Sequence, residues 1–333
     1  MIFNQTKKSI SFLQLSLALG LLFLLSCSSG GKKKPANTIT IVTLRGPSAI
    51  SMIKMIDSPK MDKHIELQFI IKDDPNQVKP YLVRGEADFA VLPSTMAAVL
   101  YNQGLPYQLT SIPLWGTLHL FGSDTTIHSW QDLKGTRVYS MARGMTPDIV
   151  FRYLLNAHGL QPDKDVTLDY SFPTHRDLAN AVAAGRASLG VISEPLVSMV
   201  ISRNPKVHEI FDLDKEWNKA THDSIPFAQT ALIVNKKFAE SNPDKVMAFL
   251  DFYKEACQWI NTHPAKGSKL IVTSRILPDT LVARKSIPGC NIRFANAWPV
   301  RNQINDYFNV FYTFNPDMLG GKLPDEEFYY QVK

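Results

Sequence analysis

The feature that most constrains this chain is a pattern that occurs twice along it, about one hundred residues apart. Residues 82–93 (LVRGEADFAVLP) align with residues 182–193 (VAAGRASLGVIS), so that glycines, alanines and alternating apolar positions coincide. Each copy predicts the end of a helix, a turn and a short strand. The alternative is a chance likeness between two ordinary α/β segments.

A second matched pair lies upstream of these copies. Residues 39–44 are typical of a strand and run into Arg45-Gly46-Pro47, while residues 137–140 are typical of a strand and run into Met141-Ala142-Arg143-Gly144. In both places an Arg-Gly pair precedes a predicted helix. Because the first N–H groups of a helix have no partner within it, two such helix starts facing one cleft would bind a polar ligand.

The N-terminal segment predicts export from the cytoplasm. Two lysines precede an apolar run over residues 10–25, and the run ends at Leu24-Leu25-Ser26-Cys27. This pattern indicates a signal peptide, residues 1–26, that ends in a lipobox. A transmembrane anchor is the alternative, but the run is shorter than the roughly 20 apolar residues that a spanning helix needs.

Processing at a lipobox would make Cys27 the acylated first residue of the mature protein. Residues 27–37 contain Ser, Gly and Lys, which predicts a flexible lipidated tether. We therefore expect the protein at the periplasmic face of the cell envelope, anchored to the membrane by lipid.

The charge of the chain argues against a nucleic-acid partner. The formal net charge of +6 falls to +4 without Lys7 and Lys8, and to +1 when lysines 32–34 are also set aside. Nearly all of the positive excess therefore belongs to the signal peptide and tether. No stripe of Lys and Arg interleaved with aromatic residues occurs elsewhere in the sequence.

Two cysteines remain in the mature chain after Cys27. Cys257 falls on an apolar stripe with helical spacing, and Cys290 follows Pro288-Gly289. In an oxidising compartment they would be able to form a disulfide, and two buried free thiols are the alternative. The sequence leaves both open.

Strand and helix patterns alternate along the mature chain with short connections, which predicts an α/β protein with parallel strands. The second copy of the repeat lies within an inserted segment. We expect residues 38–122 and 227–333 to form one lobe and residues 123–226 to form the other. The chain then crosses between the lobes twice, near residues 122–124 and 219–227, as in a hinged protein that closes on a ligand.

No catalytic set, metal site or cofactor motif is evident. The sequence lacks a Gly-x-Ser-x-Gly elbow, a His-Glu-x-x-His pair and a Walker loop, and its eight histidines are dispersed. His119, His175 and His222 are candidates to meet in space, but satisfied or surface histidines are the simpler interpretation. We therefore expect no catalytic residues, no metal and no cofactor.

Polar loops at the C-terminal ends of the predicted strands are the candidate ligand-binding positions, because open α/β sheets bind ligands there. Arg45 and Arg143 would fork onto an oxyanion, Glu194 would accept from a ligand amine, and Trp115 and Phe227 would offer a flat face to a ring. For the arginines and for Glu194 a purely structural role is the alternative. The full predicted set is Thr43, Arg45, Ser48, Ser94, Thr95, Trp115, Thr117, Arg143, Thr146, Glu194 and Phe227.

Several motifs resemble one known group of proteins. They are residues 24–27, 144–148 (GMTPD), 168–175 (LDYSFPTH), 179–185 (ANAVAAG), 194–195 (EP), 287–292 (IPGCNI) and 320–325 (GGKLPD). With these motifs the chain resembles the bacterial substrate-binding lipoproteins of ABC importers, of the nitrate, sulfonate and thiamine-pyrimidine-precursor type. Ser193 departs from the pattern, since relatives often carry proline before Glu-Pro.

The resemblance implies a two-lobed type II periplasmic-binding-protein fold that delivers a small solute to a membrane permease and its ATPase. We expect the solute to be a sulfonate-like anion or a nitrogen heterocycle, and the protein to be a monomer. The alternatives are an enzyme on the same fold, such as a lyase or a pyrimidine-precursor-forming protein, and a sensor or adhesin lipoprotein.

Overall fold

The computed structural model describes residues 37–331 apart from residues 62 and 223. The predicted signal peptide and nearly all of the predicted tether, including Cys27, lie outside the described residues. Within the described part of the chain, no helix has the length and apolar character needed to cross a membrane.

The strands of the described chain are β1 (Thr38–Leu44), β2 (Glu66–Lys72), β3 (Phe89–Pro93), β4 (Tyr107–Leu114), β5 (Leu118–Gly122), β6 (Arg137–Tyr139), β7 (Thr167–Asp169), β8 (Leu189–Ser193), β9 (His208–Asp212), β10 (Thr230–Asn235) and β11 (Ile292–Asn296). The α-helices are α1 (Pro47–Ser51), α2 (Ile53–Asp57), α3 (Lys79–Val83), α4 (Ser94–Asn102), α5 (Thr146–Ala157), α6 (His175–Ala183), α7 (Leu196–Arg203), α8 (Leu213–Ala220), α9 (Lys236–Ser241), α10 (Pro243–Thr262), α11 (Pro264–Thr273), α12 (Thr280–Ser286) and α13 (Arg301–Phe314).

The described strands form two mixed sheets. A six-stranded sheet has the order β11-β4-β10-β3-β1-β2, and a five-stranded sheet has the order β7-β6-β8-β5-β9. In the first sheet β1 pairs in parallel with β3, and β10 then pairs antiparallel with β3. In the second sheet β6 pairs in parallel with β8, and β5 then pairs antiparallel with β8. The predicted α/β class with two lobes is confirmed, but the expectation of parallel strands is wrong for the antiparallel pairings of β4, β5, β9, β10 and β11.

The duplicated sequence pattern has the same local structure in both copies. The turns at Gly85 and Gly185 have φ of 64° and 71°, a left-handed conformation that glycine adopts without a steric penalty. Each turn leads into a fully buried strand, β3 in one sheet and β8 in the other. The repeat therefore supplies an equivalent central strand to each sheet.

The predicted position of the first crossing is wrong. Residues 118–122 were assigned to the first lobe, but β5 pairs with β8 and β9 of the second sheet. The chain leaves the first sheet after β4, so the crossing lies at residues 115–117. The apolar runs on both sides look alike in sequence, and only strand pairing assigns each to a sheet.

The return crossing is longer than the sequence indicated. β9 closes the second sheet at Asp212, α8 follows, and β10 re-enters the first sheet at Thr230. Strands β9 and β11 and most of α8 were not predicted, because β9 is half-buried at a sheet edge and lacks a clear alternation. The crossing was expected near residues 219–227, yet α8 already begins at Leu213.

Aromatic side chains fill the core on both sides of the crossings. Phe89 of β3 stacks on Phe249 of α10 with ring centroids 4.0 Å apart. Trp217 of α8 is fully buried and packs against Tyr307 and Phe311 of α13. Burying such side chains contributes about 1.5–3 kcal/mol each, so α13 secures the crossing helix α8 firmly.

The two cysteines of the described chain are buried free thiols. Cys257 lies on the buried face of α10, as its helical spacing predicted, and its thiol donates weakly to the Ser51 carbonyl at 3.9 Å. Burial raises the pKa of both thiols, which keeps them protonated and unreactive. The structure thus favours the second of the two alternatives left open by the sequence.

Candidate functional site

A small cavity lies where strand ends and helix starts of both sheets meet. It has a volume of about 70 Å³ and continues outward into a wider cleft of about 610 Å³. The residues that line the inner cavity are Leu44, Arg45, Gly46, Pro47, Ser48, Asp73, Pro75, Pro93, Ala142, Thr146, Pro147, His175, Ser193, Glu194, Pro195, Leu196, Gln229 and Thr230. They come from both lobes, so a bound molecule would contact both.

Arg45 lines this cavity, but its charge already has a partner. Its Nε donates to Oδ1 of Asp73 at 2.5 Å, and its Nη1 donates to the carbonyl of Arg275 at 3.0 Å. The neighbouring Gly46 has φ of 117°, which turns the chain sharply from β1 into α1. Ser48 of α1 also lines the cavity. The predicted Thr43 is fully buried behind it and does not.

Two helix starts from different lobes meet beside the cavity. Thr95 in the first turn of α4 follows the first sheet, and Thr146 at the start of α5 follows the second. Their Oγ1 atoms are 3.0 Å apart and form a buried hydrogen bond. Of the predicted residues here, Thr146 lines the cavity, whereas Ser94 and Thr95 lie behind it.

Glu194 is a buried carboxylate at the cavity wall. It precedes Pro195 through a cis peptide bond, and 8% of its surface is exposed. Burial raises its pKa, while hydrogen bonds from the backbone N–H and the hydroxyl of Ser198 oppose that shift. Gly289 packs against it, since a Cβ at Gly289 would lie 3.0 Å from the Glu194 Cγ. The carboxylate is held in place from behind.

Gln229 was not predicted and is fixed by three contacts. Its Oε1 accepts from the Thr117 N–H at 2.6 Å, and its Nε2 donates to Thr117 Oγ1 at 2.8 Å and to Ser193 Oγ at 3.2 Å. Thr117 therefore supports Gln229 rather than lining the cavity itself. Gln229 directly precedes β10, so its position beside a strand is the feature of the sequence that points to it.

His175 also lines the cavity and was set aside in the sequence as one of several dispersed histidines. It begins α6 directly after the capping residue Thr174. Burial lowers its pKa to about 4, so the imidazole is neutral at pH 7. Its Nδ1 is buried and has no hydrogen-bond partner among the described residues. The signal in the sequence that points to it is the motif over residues 168–175, which ends at His175.

The two aromatic residues predicted as ring platforms belong to the core. Trp115 donates from Nε1 to the Arg293 carbonyl at 2.6 Å, and the Arg293 guanidinium lies over its ring. Phe227 packs against Trp217 and Tyr307. Neither lines the cavity, because both rings fill space at the crossings between the sheets.

Arg143 does not reach the cavity. It is exposed, and its guanidinium lies 5.2 Å from the ring centre of Tyr170. It borders an open groove that also contains Asp148, Arg152 and residues 314–318. The matched Arg-Gly pairs of the sequence thus occupy different environments, because the loop after β6 is longer than the loop after β1.

Comparison with known proteins shows the family. The profile of the family described as NMT1/THI5 like matches residues 61–267. The chain belongs to this family. The resemblance to substrate-binding proteins of ABC importers that the sequence motifs suggested is confirmed by the family and by the solved structures that share the fold.

Solved relatives of this NMT1/THI5-like protein share its architecture over most of its length. An ABC transporter structure from Parabacteroides distasonis is 28% identical, covers 89% of this chain and 100% of its own, and superposes with a TM-score of 0.76. The periplasmic aliphatic sulphonate binding protein SsuA from Escherichia coli is 16% identical and covers 90% of this chain and 94% of its own. It superposes with a TM-score of 0.72. At that identity the likeness shows the fold alone.

A curated relative matches part of the sequence. YtlA of Bacillus subtilis (strain 168), which carries the name of a binding protein, is 26% identical over 151 residues. The match covers 45% of this chain and 42% of YtlA, so it spans less than half the length of that relative.

Proposed function

We propose that this protein is the solute-binding component of an ABC importer, with a permease and its ATPase as partners. The observation that carries the proposal is the cavity between the two lobes, lined from both sides by polar groups held in fixed positions. Such a cavity suits capture and release of a small molecule by lobe closure. Solved relatives with the same fold are binding proteins, which supports the assignment.

We propose that the cavity binds a small molecule without transforming it, and we prefer this to the enzyme alternative. Covalent catalysis by a serine or threonine requires its hydroxyl to be hydrogen-bonded to a base. Among the described residues, the lining hydroxyls of Ser193 and Thr146 instead contact Gln229 and Thr95. These contacts suit a receptor that orients a ligand.

The charges of the cavity favour a nitrogen heterocycle or compact amine over a sulfonate. Arg45 is neutralised by Asp73, His175 is uncharged at pH 7, and Arg143 lies elsewhere. Glu194 remains as a buried acceptor. Among the described residues that line the inner cavity, no unpaired cation would balance a sulfonate buried beside that carboxylate, which is costly, whereas an N–H donor would pair with it.

The direct test is to identify small molecules that co-purify with the protein by mass spectrometry, then to measure binding by calorimetry. A panel of alkanesulfonates and amino-substituted pyrimidines separates the two ligand classes. We expect Glu194→Gln to weaken binding of the true ligand about tenfold or more, since a charge-assisted hydrogen bond contributes roughly 1.5–3 kcal/mol. The control Glu255→Gln changes an exposed glutamate of α10 and should bind as wild type.

Tight sulfonate binding that is unaffected by Glu194→Gln would contradict the ligand class and leave the receptor function intact. Turnover of a co-purified molecule, measured as product formation, would contradict the receptor function itself. The proposed ligand class and the proposed receptor function can therefore be contradicted independently of each other.

We also propose that the protein is a lipoprotein anchored through Cys27, which lies outside the described residues. The sequence Leu24-Leu25-Ser26-Cys27 supports this. Cys27→Ala should leave unprocessed precursor in the membrane fraction, visible as a band of higher mass. Normal cleavage of Cys27→Ala with retained membrane association would rule out lipid anchoring at this residue.

A further inference from the structure

A histidine and two carboxylates converge at the edge of the second sheet, outside the cavity. His119 lies on β5, and Glu209 and Asp212 lie on the neighbouring edge strand β9. Among the described residues, the ligand atoms of these three side chains lie within 4.8 Å of one another. About ninety residues separate His119 from its partners in sequence, so no motif with metal-ligand spacing indicates this group of side chains.

An irregularity in strand pairing produces this convergence. Glu209 and Asp212 are three residues apart and would point to opposite faces of a regular strand. In the structure His119 pairs with Asp212 and Phe121 pairs with Glu209, with a register shift between them. Because residues 119 and 121 share one face, the shift brings both carboxylates to the face of His119.

His119 is oriented toward the carboxylates, and its contact with Glu209 is an ion pair rather than a well-aligned hydrogen bond. It is 8% exposed, and its Nδ1 lies 3.0 Å from Oε2 of Glu209. Nevertheless Nδ1 has no partner with hydrogen-bond geometry among the described residues. This buried ring nitrogen pairs with Glu209 as the site stands, and it is placed to bind a metal ion together with both carboxylates.

The charged groups around His119 also favour binding of a cation. Glu194 and Asp214 add two more carboxylates whose charges act on His119 or on its partners. The compensating cations near them are Lys215, whose Nζ lies 2.9 Å from Oδ2 of Asp212, and Arg293. Apart from His119 itself, two cations therefore offset four carboxylates, and the Lys215 side chain is 73% exposed and free to move away.

We propose that His119, Glu209 and Asp212 form a binding site for a divalent transition-metal ion of the zinc class. One imidazole nitrogen with two carboxylate oxygens is a ligand set that Zn²⁺ accepts, with water at the remaining position, whereas Ca²⁺ and Mg²⁺ prefer oxygen ligands alone. Bound metal would clamp β9 onto β5 and so strengthen the edge of the second sheet.

The test is calorimetric titration of the metal-depleted purified protein with zinc chloride, without any solute. We expect one equivalent of zinc to bind, and the affinity to fall at least about tenfold in His119→Gln and in Glu209→Gln. His128→Gln changes an exposed histidine and serves as the control with wild-type affinity. Lys215→Gln removes the ammonium that competes for Asp212, so it should bind zinc more tightly than wild type.

Absence of stoichiometric binding, or wild-type affinity in both site variants, would overturn the proposal. Equally tight binding of calcium that persists in His119→Gln would also overturn it, by showing a site made of carboxylates alone. If buried His119→Gln fails to fold, Glu209→Gln decides the question because the Glu209 side chain is 45% exposed and its loss should be tolerated.

Discussion

Identical residue types have different properties in this protein because burial and neighbours differ. Arg45 and Arg143 both precede glycine in matched loops, yet one is paired with Asp73 at the cavity and the other is exposed beside Tyr170. Glu194 and His175 both line the cavity, and burial disfavours the charged form of each. The inner cavity is therefore less charged than its composition suggests.

The neutral state of His175 predicts a loss of stability in acid. Its pKa in the folded protein, about 4, is below the ordinary value of 6.5, so the unfolded chain takes up a proton first as pH falls. The neutral imidazole therefore contributes on the order of 1–3 kcal/mol to the free energy of unfolding. This contribution is present above pH 6.5 and is lost as the pH falls toward 4. Urea unfolding of His175→Gln should show a smaller decline over this range than wild type. His128→Gln is the control, and a decline in His175→Gln equal to that of wild type would contradict the assignment.

At the scale of elements, the duplication produces two equivalent sheet cores joined by unequal crossings. The short crossing at residues 115–117 lies against the long one, since Gly116 donates its N–H to the carbonyl of Phe227 at 3.1 Å. Side chains at this junction have little space. The junction therefore constrains how the lobes meet.

Gly116→Ala should destabilise the protein, because a Cβ there would lie 2.0 Å from Oδ1 of Asp214. We expect a loss of about 1–3 kcal/mol in the free energy of unfolding, as for other overpacked sites. The double variant Gly116→Ala/Asp214→Gly removes the clash, since the Asp214 Cβ would also lie only 2.6 Å away, and it should recover most of that loss relative to Asp214→Gly. An equal penalty in both backgrounds would show that Asp214 is not the obstacle.

The hydrogen bond between Thr95 and Thr146 should couple the starts of α4 and α5. Thr95→Val and Thr146→Val should each cost about 1 kcal/mol, because each leaves a buried hydroxyl without its partner. The double variant should cost less than the sum of the two, which urea unfolding of all four proteins would measure. Strict additivity would mean that the contact contributes nothing.

At the scale of the whole molecule, two crossings between two sheets favour hinged closure around the cavity. We expect small-angle scattering to show a smaller radius of gyration with saturating ligand, as the lobes rotate about residues 115–117 and 213–229. Glu194→Gln at the same ligand concentration is the control and should compact less, in proportion to its weaker binding. An unchanged radius for wild type at saturation would contradict hinged closure.

The sequence by itself determined the α/β class, the duplicated unit and the family, because these depend on local periodicity, turn glycines and short motifs. Arg45, Ser48, Thr146 and Glu194 were predicted in the same way, since each follows a strand at a recognisable loop, and all four line the cavity. Tertiary structure alone decided that β5 belongs to the second sheet, that Trp115 and Phe227 fill the core, and that Gln229 and His175 line the cavity. Strand pairing, burial and side-chain direction arise from contacts between residues that are distant in sequence, so a local sequence pattern does not predict them. The convergence of His119 with Glu209 and Asp212 is the clearest instance, because one register shift between β5 and β9 creates it.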